Sequence, residues 1–135
     1  LMAEEEQRAD LYRCDDADVL LVAANTPARM AKGAVEALRE LGVRAGLFRP
    51  QTLWPFPVRL LKPLLGRGQR LIVVEASRGQ LEDELRLALS HASIPHGRGF
   101  LEHVRRQGGV LPSTSEIVEH VMLGFWAPSK EAVRA

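Results

Sequence analysis

Cysteine is nearly absent from this chain of 135 residues, which contains only Cys14. A single thiol excludes an intrachain disulfide, and it excludes a four-iron cluster held by this chain alone, because such a cluster needs four thiolates. The scarcity of cysteine favours a reducing compartment, and we expect the cytoplasm. The four histidines lack the H-E-x-x-H spacing, so we predict that this chain binds no metal.

Long apolar runs and an excess of one charge are also missing. No stretch reaches the ~20 apolar residues of a membrane span, and the formal net charge is only +1. The composition therefore gives no reason to expect a membrane or a nucleic acid as partner. The chain opens with Leu1 and Met2, which indicates either an artificial boundary or a piece of a longer protein, and the sequence leaves both open.

Glycine is missing from the turn after the first buried strand, and this excludes two kinds of phosphate site. Residues 19–24 read VLLVAA and predict a strand buried on both faces, but Asn25 and Thr26 follow it. A dinucleotide site needs G-x-G-x-x-G at this turn, and a P-loop also needs glycines. The nearby aspartates precede this strand rather than ending one, so a phosphoacceptor site is excluded as well.

What the sequence does contain is a regular alternation of strands and helices. Apolar runs predict strands at 19–24, 43–49, 70–75 and 100–105, with an added edge strand at 11–13. Periodic segments predict helices from Thr26 to Leu41, from Pro57 to Leu65 with a break at Pro63, from Gln80 to His91 and from Ser113 onward. The alternation predicts a three-layer α/β/α fold with a mostly parallel sheet of about five strands.

Local signals set the expected boundaries of the helices and of the domain. Thr26 followed by Pro27 predicts an N-cap and a first-turn proline. Ser113 and Glu116 form a capping box that opens the last helix. We expect residues 1–14 to be an entry segment or linker remnant, 15–123 to be the domain and 124–135 to be a tail.

Polar and aromatic residues gather where the predicted parallel strands end. Glu75 closes a buried strand, and we favour a structural role for its carboxylate, such as capping neighbouring amides, over a catalytic one. Trp54 and Phe56 lie between prolines and either fill the core or form an exposed knob at an interface. We name this region the strand-end edge and predict that it is an interface with another protein or domain. We predict no catalytic, cofactor-binding or metal-binding residue in this chain. The members of the strand-end edge are Asn25, Thr26, Arg49, Trp54, Phe56, Glu75, Gly79, Gln80, Gly108 and Gly109.

Four segments together resemble a known family. Residues 46–57 read GLFRPQTLWPFP, 71–75 read LIVVE, 79–81 read GQL and 108–113 read GGVLPS. In this order they resemble the C-terminal domain of the alpha subunit of 2-oxoacid:ferredoxin oxidoreductases, a module similar to the transketolase C-terminal domain and to the second domain of pyruvate:ferredoxin oxidoreductase. The resemblance covers about residues 15 to 122 and is most specific in the aromatic and proline loop.

The resemblance implies a part in a larger enzyme. Members of the family oxidatively decarboxylate a 2-oxoacid to an acyl-coenzyme A and pass electrons to ferredoxin, with thiamine diphosphate, magnesium and iron–sulfur clusters as cofactors. Thiamine diphosphate lies between a preceding domain of the alpha subunit and the beta subunit, which are the partners that the resemblance implies. For this domain it implies no cofactor and a supporting role, with contact to ferredoxin only through the whole enzyme.

Two departures from the family pattern lie at the strand-end edge. The family commonly has Gly followed by Ser or Thr after its first central strand, where this chain has Asn25 and Thr26. It also commonly has Asn after the strand-ending Glu, where this chain has Ala76. Both departures favour a scaffolding role over small-molecule contact. The alternatives are the equivalent domain of a transketolase or of a dehydrogenase E1 beta chain, and a free-standing α/β binding module.

Two further expectations concern apolar residues that a domain of a larger assembly leaves exposed. We expect the loop at 52–57 to be ordered, because its prolines lower the conformational entropy that is lost on folding. We expect Trp54 to be mostly buried, because its indole is large and apolar. We also expect some self-association of the isolated chain, with Phe125 and Trp126 of the tail in the contact.

Overall fold

The computed structural model describes residues 8–51, 56–65, 69–76, 80–94, 101–104 and 111–126. The strands are β1 (Ala9–Tyr12), β2 (Val19–Val22), β3 (Ala45–Pro50), β4 (Arg70–Val74) and β5 (Leu101–Val104). The helices are α1 (Asn25–Glu40), α2 (Val58–Leu61, continued by a 3₁₀ turn at Lys62–Leu65), α3 (Gln80–His91) and α4 (Thr114–Trp126). The break expected at Pro63 is present, since the α-helical part of this segment ends at Leu61.

The strands form a five-stranded sheet in the order β1-β3-β2-β4-β5. β2 pairs with β3 and with β4 in parallel, and β4 pairs with β5 in parallel. Only β1 runs antiparallel, against β3, with Leu11 opposite Phe48. The predicted α/β class, the mostly parallel sheet and the added edge strand are therefore confirmed.

Apolar side chains cover both faces of the sheet, because successive strand residues point to opposite sides. On one face α1 and α4 pack over the sheet through Ala31, Val35, Leu38, Ile117 and Val121. On the other face Leu61 of α2 and Leu81, Leu85 and Leu89 of α3 pack over Leu20, Phe48 and Val73. The two clusters make the three layers that the sequence predicts.

The start of α1 differs from the sequence prediction. The helix begins at Asn25, whose φ is +57°, and its N-cap residue Ala24 makes no side-chain capping bond. Thr26 is exposed and does not cap the helix, so the predicted Thr26 N-cap is wrong. Asparagine enters the left-handed region more readily than most residues, which allows the sharp turn from β2 into the helix.

The end of α1 and the segment before β2 are held by contacts that the sequence pattern does not reveal. Arg39 near the end of α1 donates hydrogen bonds to Arg13 O at 2.8 Å, Ala45 O at 2.9 Å and Asp16 Oδ1 at 2.7 Å. At Gly46 an added Cβ would lie 2.6 Å from Arg13 O, so the chain crosses this strand in backbone contact. Leu41, the last residue of the predicted helix, is 58% exposed because α1 ends at Glu40.

The last helix begins as predicted and ends later than predicted. Ser113 N donates to Glu116 Oε1 and Glu116 N donates to Ser113 Oγ, both at 3.1 Å, which is the expected capping box. The helix then continues to Trp126, into the segment 124–135 that the sequence predicts as a tail. The start of the expected tail is therefore helical.

Candidate functional site at the strand ends

The strand order places a cleft between the carboxyl ends of β2 and β4. From β2 the chain passes through α1 to β3 on one side of β2, and β4 then lies on the other side. The sheet therefore has a topological switch point between β2 and β4, with α1 and α3 on opposite faces. A cleft of about 240 Å³ lies there, lined by Ala24, Asn25, Pro27, Val74, Glu75, Ala76, Gln80 and Leu81.

Glu75 provides the buried carboxylate of this cleft, and its oxygens cap α3. The residue is 4% exposed. Its Oε1 accepts a hydrogen bond from Leu81 N at 2.9 Å, and its Oε2 accepts one from Glu82 N at 3.2 Å. The first amides of a helix have no partner within the helix and carry a partial positive charge, so a carboxylate is well suited to them. The geometry is that of the structural role favoured for Glu75.

The N-terminus of α1 on the other wall of the cleft is built differently. It has no side-chain cap and no acidic residue in its first turn. Asn25 is exposed here in its left-handed conformation, at the position where the family pattern commonly has glycine. Asparagine therefore keeps the backbone conformation that glycine would give and adds a carboxamide at the mouth of the cleft.

The other members of the strand-end edge are distributed over different environments. Gln80, the first residue of α3, is exposed and lines the cleft with Asn25 and Glu75. Arg49 is exposed on β3, in register with Asp10. Phe56 is 4% exposed and packs against Phe48 with ring centroids 6.1 Å apart, so it fills the core. Trp54, Gly79, Gly108 and Gly109 lie outside the described residues.

The single thiol and the histidines do not form a metal site in the part of the chain that the structure describes. Cys14 is buried and donates a hydrogen bond from Sγ to Leu47 O at 3.1 Å, and burial raises the pKa of this thiol. His91 and His103 are exposed, and His120 is half-buried. Cys14 is thus a packed thiol.

Sequence reasoning missed an ionic cluster at the opposite end of β4. Arg70, Glu102 and His120 come together there from β4, β5 and α4. Hydrogen bonds from Arg70 first, and also from His120, hold the pKa of Glu102 down at about 2, against the effect of burial. The available signal was a charged residue in each of two short apolar strands, with Arg70 at the start of β4 and Glu102 within β5, because such a residue calls for an ionic partner.

The described helices include none that is long and apolar enough to cross a membrane.

Comparison with known proteins decides the family. The family model of the pyruvate:ferredoxin oxidoreductase core domain II matches residues 17–117, which include all the parallel strands. This chain belongs to that family. The family match favours the resemblance found in the sequence over the transketolase and dehydrogenase alternatives.

One curated relative and two solved structures show how far this domain extends. The ketoisovalerate oxidoreductase subunit VorB of Methanothermobacter thermautotrophicus is 37% identical over 118 residues, which are 87% of this chain and 32% of that subunit. A 2-oxoglutarate:ferredoxin oxidoreductase from Magnetococcus marinus has a TM-score of 0.67 at 20% identity, over 85% of this chain and 19% of that chain. A split-gene transketolase, solved as an inactive beta4 tetramer, has a TM-score of 0.65 at 18% identity, over 85% of this chain and 40% of that chain.

These likenesses have two consequences. The structural matches confirm a transketolase-like fold, as the resemblance implies. The chain spans about a third of the length of VorB, so it corresponds to one domain of such an oxidoreductase subunit.

Proposed function

We propose that this chain is the C-terminal domain of the alpha subunit of a 2-oxoacid:ferredoxin oxidoreductase, and that it supports assembly without performing chemistry itself. The observation that carries the proposal is the family match over residues 17–117. The proposed parent enzyme oxidatively decarboxylates a 2-oxoacid to an acyl-coenzyme A and passes electrons to ferredoxin. VorB is named for ketoisovalerate and the M. marinus enzyme for 2-oxoglutarate, so relatives of this domain occur with different oxoacids.

The contacts in the cleft support a non-catalytic role. Acid–base or nucleophilic chemistry needs a side chain whose reactive atom can reach a substrate. The buried carboxylate of the cleft, Glu75, has both oxygens engaged by the backbone of α3. The cleft is also small, since ligand pockets usually measure roughly 300–1,000 Å³ and this one measures about 240 Å³.

The donor atoms of this chain do not fit the cofactors that the resemblance implies. Cys14 is the single cysteine of the sequence, whereas a four-iron cluster takes four thiolates. Magnesium with a diphosphate is bound through one or two free carboxylates, and the buried carboxylate of the cleft, Glu75, has both oxygens bonded to amides of α3. We therefore assign thiamine diphosphate, magnesium and the clusters to other domains of the parent enzyme.

Titration calorimetry of the 135-residue chain tests the cofactor assignment. We expect no heat of binding when thiamine diphosphate and Mg²⁺ are added together, and no reduction of ferredoxin by the chain with a 2-oxoacid and coenzyme A. Binding of thiamine diphosphate in the micromolar range would overturn the assignment.

The supporting role is tested by association with the two proposed partners, the thiamine-binding domain that precedes it and the beta subunit. We expect Gln80→Arg to weaken association at least about tenfold, because it adds an unpaired charge to the strand-end edge. Leu41→Arg is the matched control, since it adds the same charge at the exposed far end of α1. Equal affinities for the two variants would contradict an interface at the cleft.

A further inference from the structure

One guanidinium at the amino end of β4 joins three elements of the fold. Arg70 donates from Nε to Glu102 Oε2 at 2.8 Å and from Nη2 to Glu102 Oε1 at 2.7 Å. Its remaining nitrogen, Nη1, donates to the backbone carbonyl of Val121 in α4 at 3.0 Å. The first residue of β4 therefore holds both β5 and α4.

His120 completes this cluster from α4. Its Nε2 lies 3.0 Å from Glu102 Oε1, so one carboxylate contacts donors on β4 and on α4. The side chains of Arg70, Glu102 and His120 are 25%, 30% and 34% exposed, so water screens them only partly. Bidentate bonds between charged groups in such a setting are stronger than an ordinary surface ion pair.

The sequence of α4 fits this arrangement at two points. Its last turn contains no basic residue, so Arg70 provides from β4 the positive charge that the C-terminal end of a helix favours. Gly124 lies under the guanidinium, where an added Cβ would come within 2.6–2.7 Å of its atoms. Glycine weakens a helix relative to alanine, so α4 has a poor helix former where the guanidinium lies.

We propose that Arg70 is a latch: β5 and α4 open together as one unit against the rest of the sheet, and the guanidinium sets how often they do. Other contacts also hold this unit to the fold. Thr114 Oγ1 of α4 donates a hydrogen bond to Met30 O of α1 at 3.1 Å. Among the described residues of α4, Ile117 and Val121 are buried and Val118 and Met122 are partly buried against the same cluster, and β5 adds Leu101 and Val104. Opening would expose these apolar side chains of α4 and β5. The bonds of Arg70 therefore set how often solvent or a partner can reach them. The inference does not depend on the proposed function.

Native-state hydrogen exchange of the full chain tests the latch. We expect Arg70→Gln to speed exchange of the α4 and β5 amides by roughly tenfold or more, while amides of β2 and α1 keep their rates. The matched control is Arg44→Gln, which removes an exposed arginine paired with Asp18 at 2.8 Å and contacts neither α4 nor β5. We expect no change in α4 for the control.

A double-mutant cycle with Gly124→Ala separates the latch from helix propensity. In the natural chain the added methyl displaces the guanidinium, so we expect faster exchange of α4. In the Arg70→Gln background the same substitution should slow exchange, because only the better helix former remains.

Three results would overturn the proposal. One is unchanged exchange in α4 and β5 after Arg70→Gln. Another is equal acceleration of β2 and α1, which would mean general destabilisation of the fold. The third is the same effect of Gly124→Ala in both backgrounds, which would mean that Arg70 and Gly124 are not coupled.

Discussion

The two ends of the parallel strands are held by different chemistry. At the amino end, arginines pair with carboxylates from other elements: Arg39 with Asp16 at 2.7 Å, Arg44 with Asp18 at 2.8 Å and Arg70 with Glu102 at 2.7 Å. At the carboxyl end, the buried carboxylate of Glu75 binds backbone amides, and Asn25 and Gln80 remain exposed at the cleft.

This difference indicates which end of the domain is available to a partner. At the amino end, ion pairs join neighbouring segments of the chain to each other, so these arginines and carboxylates are already paired within the domain. Among the described residues at the carboxyl end, the side chain of Glu75 caps backbone amides, and Asn25 and Gln80 beside it are exposed. Under the proposed function, the strand-end edge is accordingly the contact surface and the amino end maintains the fold.

Replacing Glu75 should have the largest effect, because it removes the carboxylate on which the carboxyl end depends. We expect Glu75→Ala to lower the free energy of unfolding by about 3 kcal/mol, since two helix amides lose their acceptor and a cavity forms. Urea denaturation measures the loss. Glu84→Gln, on the same helix, is the control, and a comparable loss in that variant would contradict the capping role.

The close backbone crossing at the amino end should come next. Gly46→Ala places a methyl group 2.6 Å from the carbonyl oxygen of Arg13, and backbone cannot rotate away, so we expect a loss of about 2 kcal/mol. Gly33→Ala provides the comparison, because its nearest neighbour is a side-chain atom, Thr114 Oγ1, at 3.1 Å. Thermal unfolding should show a larger drop in melting temperature for Gly46→Ala than for Gly33→Ala. The reverse order would contradict the close backbone contact at Gly46.

Acid should weaken the amino end through Glu102. Its pKa falls from an ordinary 4.5 to about 2 in the fold, so its stabilisation is complete above pH 4.5 and is lost as the pH falls toward 2. We expect roughly 1 kcal/mol, allowing for partial exposure. The natural chain should exceed Glu102→Gln in stability at neutral pH, with the gap narrowing between pH 5 and 2 in urea titrations. A gap independent of pH would contradict the pairing.

The smallest effect concerns the turn at the cleft. Asn25 has a φ of +57°, so Asn25→Ala should cost about 1 kcal/mol, whereas Asn25→Gly should change the stability by only a few tenths. Chemical denaturation of the two variants side by side separates them. Equal losses for alanine and glycine would mean that the carboxamide, rather than the backbone conformation, matters for stability.

The accuracy of the sequence predictions follows from how local each signal is. The helix Gln80–His91 and the capping box at Ser113 were predicted correctly because periodicity and capping depend on neighbours within one or two turns. The N-terminus of α1 was predicted wrongly, since Thr26 has the right chemistry but the turn from β2 is made at Asn25.

The sequence by itself determined the α/β class, the mostly parallel sheet and the family, because buried strands and amphipathic helices follow from residue order and a family motif is read directly. The tertiary structure alone decided the strand order that forms the cleft, which amides Glu75 caps and the convergence of Arg70, Glu102 and His120. These features depend on which distant segments pack together. A hydrogen bond between residues 70 and 102 produces no periodic pattern in the sequence from which it could be predicted.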